Sequence, residues 1–515
     1  MKRSFFANTM ILTLTTQLLS LISVWFVAWL SGAIGAEGMG LYQLISSVYI
    51  LAGTLASSGV GVTVARLIAE SIAKSGGRYT SDVLRKAVVL AAAMGLAVGG
   101  ALYLLAEPIG IELLGDRRTV ISLKVLAPAL PFMALSACMR GYFIGIRRVF
   151  KPSSQMVFEQ LVRVAISMLI LKPFLPRGLE YACLAVILAC MISEAASCVY
   201  AFVMVALEKR RGLPVKPEKG VLGQLVRIAL PIAASANLRS VLRTAENILI
   251  PRGLEKYGLS HAGALSQFGL LSMTMPVLFF PSGLLTSVGT MLLPEVSYVR
   301  ALNDAEKIRA IFARVFRMTV MLSLLLCAVF LAFARDFGLL LYQNEEVARL
   351  LTLLAPLTPL IYLDFVVDSM MSGLGQQMRA LRINMLDYAV RTGLVLLLIP
   401  LLGFFAYIGI LYVSAILNAT LSLHRLLKVS RASVDVQQWI VSPVLAAGVS
   451  GLLVVLLFRL APIGLSAWAL ALKIALLTLG YTGLLFLTGS LSASDVRWFK
   501  SVIRPERSSK RLRGE

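Results

Sequence analysis

The sequence lacks the motifs that soluble enzymes use for chemistry. It contains two histidines, His261 and His424, among 515 residues. It contains no G-x-x-x-x-G-K-[ST], no H-E-x-x-H and no G-x-S-x-G. These absences exclude a Walker-type phosphate loop, a zinc-protease helix and the nucleophile elbow of a serine hydrolase. We therefore expect a protein without a nucleotide-binding or catalytic motif, not an enzyme.

Cysteine is also scarce, and its placement indicates packing rather than chemistry. No C-x-x-C pair and no Cys/His cluster with metal-ligand spacing occurs. We expect reduced, buried thiols and neither disulfides nor a metal site. All five cysteines lie inside apolar segments: Cys138, Cys183, Cys190, Cys198 and Cys327.

Acidic residues are few, whereas apolar and basic residues are abundant. The chain has 26 Asp and Glu against 49 Lys and Arg, a net charge of +23, and 58% hydrophobic residues. Its mean hydropathy is +0.84. Repeated uncharged runs of about 20 residues are long enough to cross a bilayer. Backbone groups in lipid must bond internally, so these runs predict an all-α polytopic membrane protein.

The basic residues follow the loops rather than a nucleic-acid-binding face. We predict about fourteen spans, and we place the N-terminus in the cytoplasm. Most loop lysines and arginines then fall on the cytoplasmic side, as the positive-inside rule requires. This excludes nucleic acid as a partner and predicts both termini in the cytoplasm. The basic tail is expected to contact anionic membrane lipids. The predicted spans are 7–33, 39–69, 84–107, 119–145, 152–174, 179–207, 221–250, 264–293, 310–334, 347–373, 378–401, 403–424, 437–458 and 466–489.

The two halves of the chain are similar. Gly40–Gln43 (GLYQ) opens the second span and Ala264–Gln267 (ALSQ) opens the eighth, each after a glycine-rich loop. Such a pattern is typical of a duplicated transporter bundle with parallel repeats. The predicted parts are a six-helix lobe at 1–207, a basic loop at 208–220, a second six-helix lobe at 221–424, two further helices at 425–490 and a basic tail at 491–515.

The seventh span carries an unusual charged stripe. At 100° per residue, Arg239, Arg243 and Glu246 share one helical face. A charge inside a span costs roughly 3 kcal/mol on insertion scales and normally faces protein or water. The stripe therefore predicts a polar cavity at mid-membrane.

Three other spans carry charged or amide groups spaced by three or four residues. The spacing alone does not identify the partners of these groups. Within one helix, Glu159 could simply neutralise Arg163, and Asp387 could neutralise Arg391. Asp364 and Asp368 have no cation on their own helix, so they could carry a proton, bind Na⁺ or make packing hydrogen bonds. The stripes are Gln155, Glu159 and Arg163 on the fifth span, Asp364 and Asp368 on the tenth, and Asn384, Asp387, Tyr388 and Arg391 on the eleventh.

Several motifs resemble the stage V sporulation protein B family. The most specific are Ser372–Gln377 (SGLGQQ), Tyr362–Asp368 (YLDFVVD), Glu37–Gln43 (EGMGLYQ) and Val64–Glu70 (VARLIAE). That family belongs to the multidrug/oligosaccharidyl-lipid/polysaccharide exporter superfamily and is related to the lipid II flippases. The resemblance implies two six-helix lobes around a central cavity, two additional helices and alternating access. It also implies an undecaprenyl pyrophosphate-linked cell-wall or polysaccharide precursor as substrate, for spore cortex peptidoglycan.

One departure from the resemblance affects the site. Lipid II flippases have arginine in the first helix, whereas Thr16–Ser20 here reads TQLLS, with Gln17 in place of a cation. Arginine suits a pyrophosphate by charge and by bidentate geometry. The residues expected to bind substrate are therefore Arg239, Arg243, Arg163, Arg391 and Gln17.

Coupling to Na⁺ or H⁺ is expected at acidic and amide side chains, with no other cofactor. Glu246 on the seventh helix and Asn384 and Asp387 on the eleventh resemble the kind of place where relatives bind a coupling cation. Asp364 and Asp368 are added to the set because of their position in a span. Two alternatives remain open: an ion-coupled antiporter for organic cations, and a non-transporting scaffold that contacts cell-wall synthesis proteins.

Overall fold

The computed structural model describes residues 2–75, 79–209, 220–461 and 463–491. These residues form α-helices joined by short turns, with brief 3₁₀ and π segments and no strand among them. The predicted all-α membrane fold is confirmed. The helices of the described residues are α1 Lys2–Ser57, α2 Val60–Ser75, α3 Thr80–Leu104, α4 Ala106–Pro108, α5 Thr119–Leu126, α6 Ala129–Gly145, α7 Phe150–Phe174, α8 Leu179–Lys209, α9 Val221–Tyr257, α10 His261–Phe279, α11 Ser282–Ala301, α12 Ala305–Tyr342, α13 Glu345–Leu354, α14 Thr358–Gly373, α15 Gln377–Leu402, α16 Phe404–Ser430, α17 Ser442–Leu460 and α18 Ala467–Leu487.

The helices account for the predicted spans, although the count of fourteen is approximate. Within the described residues, twelve segments are long and apolar enough to cross a membrane, and a bent pair formed by α5 and α6 makes thirteen. The segment Met10–Ala73 covers nearly all of the first predicted span and the whole of the second. Gly35, with φ of 68°, interrupts the helical backbone inside α1. This left-handed conformation is open to glycine and divides the segment into two arms.

Residues 1–287 and 384–414 form one compact unit. Within this unit, α1 packs closely against α10. The contact depends on two glycines, because a Cβ at Gly40 would collide with the carbonyl of Leu265 and one at Gly269 with the carbonyl of Ala36. The two similar segments of the sequence therefore lie on helices that meet backbone to backbone.

Residues 288–383 and 415–515 form the other compact unit. Here α17 and α18, the two additional helices, pack against α12. The hydroxyl of Tyr481 on α18 donates to the carbonyl of Met321 at 2.9 Å, and Lys473 pairs with Asp336 at 2.6 Å. Two polar contacts thus anchor α18 within an otherwise apolar surface.

The boundaries of the two compact units differ from those of the predicted lobes, 1–207 and 221–424. The bounds of the lobes stay a prediction. The predicted basic loop at 208–220 and basic tail at 491–515 lie almost entirely outside the described residues. The cytoplasmic placement of both ends also stays a prediction.

Candidate transport site

Helix α9 is polar on two neighbouring faces, and one of them is packed. Its Thr244 hydroxyl donates to the Ser47 carbonyl at 3.1 Å, and the Asn247 amide donates to the Ser47 hydroxyl at 2.9 Å. About two turns towards the start of α9, the Asn237 side-chain oxygen accepts from the Ser58 hydroxyl at 3.1 Å. These bonds hold α9 against α1 and the residue that follows it, and the charged stripe runs along the neighbouring face, about 120° away around the helix.

Two arginines of that stripe are exposed. Arg239 is the middle residue of the 37-residue helix, and Arg243 follows one turn later. Both side chains are exposed, and neither forms an ion pair with a residue that the structure describes. A guanidinium at the centre of a spanning helix requires water, a headgroup or an anionic ligand. This part of α9 therefore presents two positive charges available to a ligand.

Glu246, the third member of the stripe, is buried and already neutralised. Its side chain is 3% exposed, accepts a hydrogen bond from Arg391 Nε of α15 at 3.0 Å and forms an ion pair with Nη2 at 2.8 Å. The Tyr407 hydroxyl of α16 donates to its other oxygen at 3.0 Å. The in-helix alternative for Arg391 was a pair with Asp387, but the guanidinium bonds to Glu246 instead. Arg239 and Arg243 lie on the same helix as Glu246 but are exposed, and the buried carboxylate pairs with the arginine that reaches it from α15.

Asp387 lies on the same helix as Arg391 but has a different partner. It is 6% exposed and accepts from the Ser414 hydroxyl of α16 at 2.6 Å. Asn384 is half-buried one turn earlier on α15. The Arg391–Glu246 ion pair joins α15 to α9, the two helices that carry three of the expected coupling residues: Glu246, Asn384 and Asp387. Two of these are carboxylates, and Arg391 is bonded to that of Glu246.

A second buried cluster lies on α7 and α8. Arg163 bonds Glu159 at 2.9 Å along α7, which confirms the in-helix alternative for this pair. Arg163 also approaches Glu194 of α8 at 3.7 Å, and Glu194 accepts from the Tyr49 hydroxyl of α1 at 2.6 Å. Sequence reasoning missed Glu194, although an acidic residue inside the apolar 31-residue helix α8 was a usable signal.

The remaining expected residues occupy other places. Gln17 of α1 packs its amide against Gly283 of α11, where a Cβ would lie 2.5 Å from Nε2. Asp364 and Asp368 are half-buried one turn apart on α14, in the unit formed by residues 288–383 and 415–515. Arg163 and Arg391 are engaged by carboxylates in this conformation, and their substrate role stays a prediction, as do the coupling roles.

A third charged cluster joins loop residues to the end of α9 and the start of α10. Arg118 bonds Asp116 at 2.8 Å and Glu37 at 2.8 Å, while His261 contacts both Asp116 and Glu255. Burial acts to raise the pKa of Asp116, but the hydrogen bonds from Arg118 and His261 outweigh it and hold that pKa below its ordinary value. The cluster is a fixed, ionised link between α1, the 114–118 loop, α9 and α10.

Sequence comparisons place the chain among polysaccharide biosynthesis proteins. The family model described as "Polysaccharide biosynthesis protein" matches residues 5–297. Stage V sporulation protein B of Bacillus subtilis (strain 168) is 25% identical over 454 residues, covering 86% of this chain and 87% of that protein. Sporulation protein YkvU of the same organism is 23% identical over 333 residues, covering 64% of this chain and 73% of that protein. The resemblance read from the motifs is confirmed.

Solved structures with the same fold are polytopic membrane proteins. A structure titled "Lipid II flippase MurJ, inward closed conformation" covers 97% of this chain and 100% of its own, with a TM-score of 0.68 and 13% identity. An inward-facing multidrug resistance MATE family transporter of the MOP superfamily covers 81% of this chain and 96% of its own, with a TM-score of 0.64 and 16% identity. At these identities the likeness concerns the fold.

Proposed function

Because the chain belongs to the polysaccharide biosynthesis protein family, we propose that it is a membrane flippase for a lipid-linked cell-wall or polysaccharide precursor. The substrate class is an undecaprenyl pyrophosphate-linked sugar, moved across the bilayer by alternating access. A relative that carries the name stage V sporulation protein B supports a role in spore cortex peptidoglycan synthesis. A fold-mate titled lipid II flippase supports the lipid-linked substrate. In this proposal the multi-pass protein lies in the cell membrane with both ends in the cytoplasm.

The observation that carries this proposal is the pair of unneutralised arginines on α9. Arg239 and Arg243 are one helical turn apart, so their guanidiniums can meet two adjacent phosphate groups on one ligand. Arginine binds phosphate oxygens through two parallel N–H bonds, which gives geometry as well as charge. Gln17 would add an amide to the same substrate from α1.

Ion coupling belongs to the buried carboxylates. Glu246 is bonded to Arg391, and Asp387, on the same helix as Arg391, is bonded to the Ser414 hydroxyl; a Na⁺ ion or a proton that binds Glu246 therefore competes with the guanidinium for its oxygens. Asn384 would supply a neutral oxygen to the cation. Asp364 and Asp368 are a second acidic pair for the same purpose on α14.

The test is translocation of a fluorescent undecaprenyl pyrophosphate-linked sugar in reconstituted vesicles. Arg239→Gln and Arg243→Gln should each lose about 10-fold or more of the rate, because a hydrogen bond to a charged group contributes about 1.5–3 kcal/mol. Arg243→Lys should recover only part of it, since lysine keeps the charge but not the fork. Arg227→Gln is the matched control, an exposed arginine on the same helix about 120° away around its axis.

The same assay separates the alternatives. Translocation that is equal in wild type, Arg239→Gln and Arg243→Gln would contradict the proposed role of the arginines. An organic-cation antiporter predicts faster transport of a cationic dye after Arg239→Gln, because removing a positive charge favours a cation. A scaffold predicts no translocation by any variant and unchanged wall synthesis in cells that carry them.

A further inference from the structure

We propose that Glu194 is a proton-binding site in the first half of the chain, separate from the coupling residues assigned above. Its occupancy controls a hydrogen bond that holds α8 to α1. The site is built from four helices: α1, α6, α7 and α8. It requires no substrate to form, and it stands whether or not the transported molecule is a lipid-linked sugar.

The two carboxylates of this cluster, Glu159 and Glu194, differ in how many hydrogen-bond donors reach them. Glu159 is held at both oxygens: Oε1 accepts from Arg163 at 2.9 Å, and Oε2 accepts from Ser197 at 3.0 Å with Arg140 at 3.9 Å. Glu194 is 3% exposed, and its Oε2 is buried without a hydrogen-bond partner. The nearest guanidinium, that of Arg163, lies 3.7 Å from its Oε1 and is bonded to Glu159.

This asymmetry decides which carboxylate takes a proton. An ionised carboxylate in an apolar interior needs donors at both oxygens, and Glu194 has one, the Tyr49 hydroxyl at 2.6 Å. When two carboxylates lie close together, the one with fewer donors protonates first, and the other stays charged. Glu159 therefore keeps Arg163 and Arg140 paired while Glu194 gains the proton at Oε2. The titratable and charged groups that face Glu194 are Tyr49 of α1, Arg140 of α6, Glu159 and Arg163 of α7, and the thiols of Cys190 and Cys198 on α8 itself.

Protonation has a structural consequence because of where Tyr49 lies. Tyr49 and Ser47 are two residues apart on α1 and point to opposite sides of the helix. Tyr49 bonds Glu194 on α8, while Ser47 receives Thr244 and Asn247 from α9. A hydrogen bond to a charged carboxylate is roughly twice as strong as one to a neutral acid. Proton binding at Glu194 thus loosens α1 from α8 on the side opposite its contact with α9.

The test measures the proton directly and needs no substrate. Infrared difference spectra of the purified full chain between neutral and mildly acidic pH would show the C=O stretching band of a buried carboxylic acid. We expect this band in wild type and expect it to be missing in Glu194→Gln. In Glu159→Gln it should appear at lower pH than in wild type, because Arg163 and Arg140 lose their carboxylate and then favour ionised Glu194. The reverse pattern, or an unchanged band in Glu194→Gln, overturns the proposal.

A second variant keeps the test decisive if Glu194→Gln does not fold. Tyr49→Phe retains the carboxyl group but removes the donor that favours its ionised form, so the band should appear at higher pH than in wild type. A band at the same pH, or at lower pH, overturns the assignment. Because these spectra contain no transported molecule, their failure leaves the flippase proposal standing, and failure of the translocation assay leaves the proton site standing.

Discussion

Replacing Arg391 by methionine tests the buried pair at the candidate site. Glu246 accepts hydrogen bonds from Arg391 Nε and the Tyr407 hydroxyl, both at 3.0 Å, and its carboxylate lies 2.8 Å from Arg391 Nη2 in an ion pair. Arg391→Met removes the two charged donors and leaves a carboxylate that is 3% exposed. Breaking a buried ion pair from one side costs about 3–5 kcal/mol, because the remaining charge is uncompensated.

Two further variants give the expected order. Tyr407→Phe removes one hydrogen bond to a charged group and should cost about 1.5–3 kcal/mol. The double variant Glu246→Leu/Arg391→Met removes both charges, so it should be more stable than Arg391→Met alone. Glu246→Leu by itself leaves Arg391 without its carboxylate and should fall between wild type and Arg391→Met, since the guanidinium is more exposed, at 19% against 3%.

The assay is thermal unfolding of the purified chain in detergent, followed by loss of the monodisperse peak on size-exclusion chromatography. The reasoning is refuted if Arg391→Met has the same melting temperature as wild type, or if the double variant is less stable than Arg391→Met. Either result means that Glu246 does not depend on Arg391 for its charge balance.

Three other changes have defined outcomes in the same assay. Asp116→Asn should destabilise at neutral pH, and because the pKa of Asp116 lies below its ordinary value, the difference from wild type should disappear as the pH falls below about 4; a difference that persists in acid contradicts this. Gly269→Ala should cost about 1–3 kcal/mol because its Cβ meets a backbone carbonyl, whereas Gly100→Ala, with open space around it, should be neutral. Tyr481→Phe should cost about 1 kcal/mol through its bond to the Met321 carbonyl, and equal melting with wild type would argue against that contact.

The comparison of α7 and α15 shows how far in-helix spacing can predict ion pairs. Glu159/Arg163 and Asp387/Arg391 have the same four-residue spacing. The first pair forms along its helix at 2.9 Å, whereas Arg391 bonds Glu246 on another helix at 2.8 Å. Spacing fixes which groups share a face, but the burial of a competing carboxylate decides which of them bond.

Glu194 illustrates what periodicity misses. It stands alone as an acid inside α8, without the repeated spacing that marked the other stripes. Its partner Tyr49 is 145 residues away in sequence. No local pattern relates two residues so far apart, and the same holds for Glu246 and Tyr407.

The sequence by itself determined the class of protein. Long apolar runs force helices, since lipid offers no partner for backbone groups, and the family motifs identify the relatives. It also determined that Arg239, Arg243 and Glu246 share a face, because helical geometry is local. Only the tertiary structure decided which of those charges are neutralised. Neutralisation depends on which helices lie alongside, and this buries Glu246 against Arg391 while Arg239 and Arg243 remain exposed.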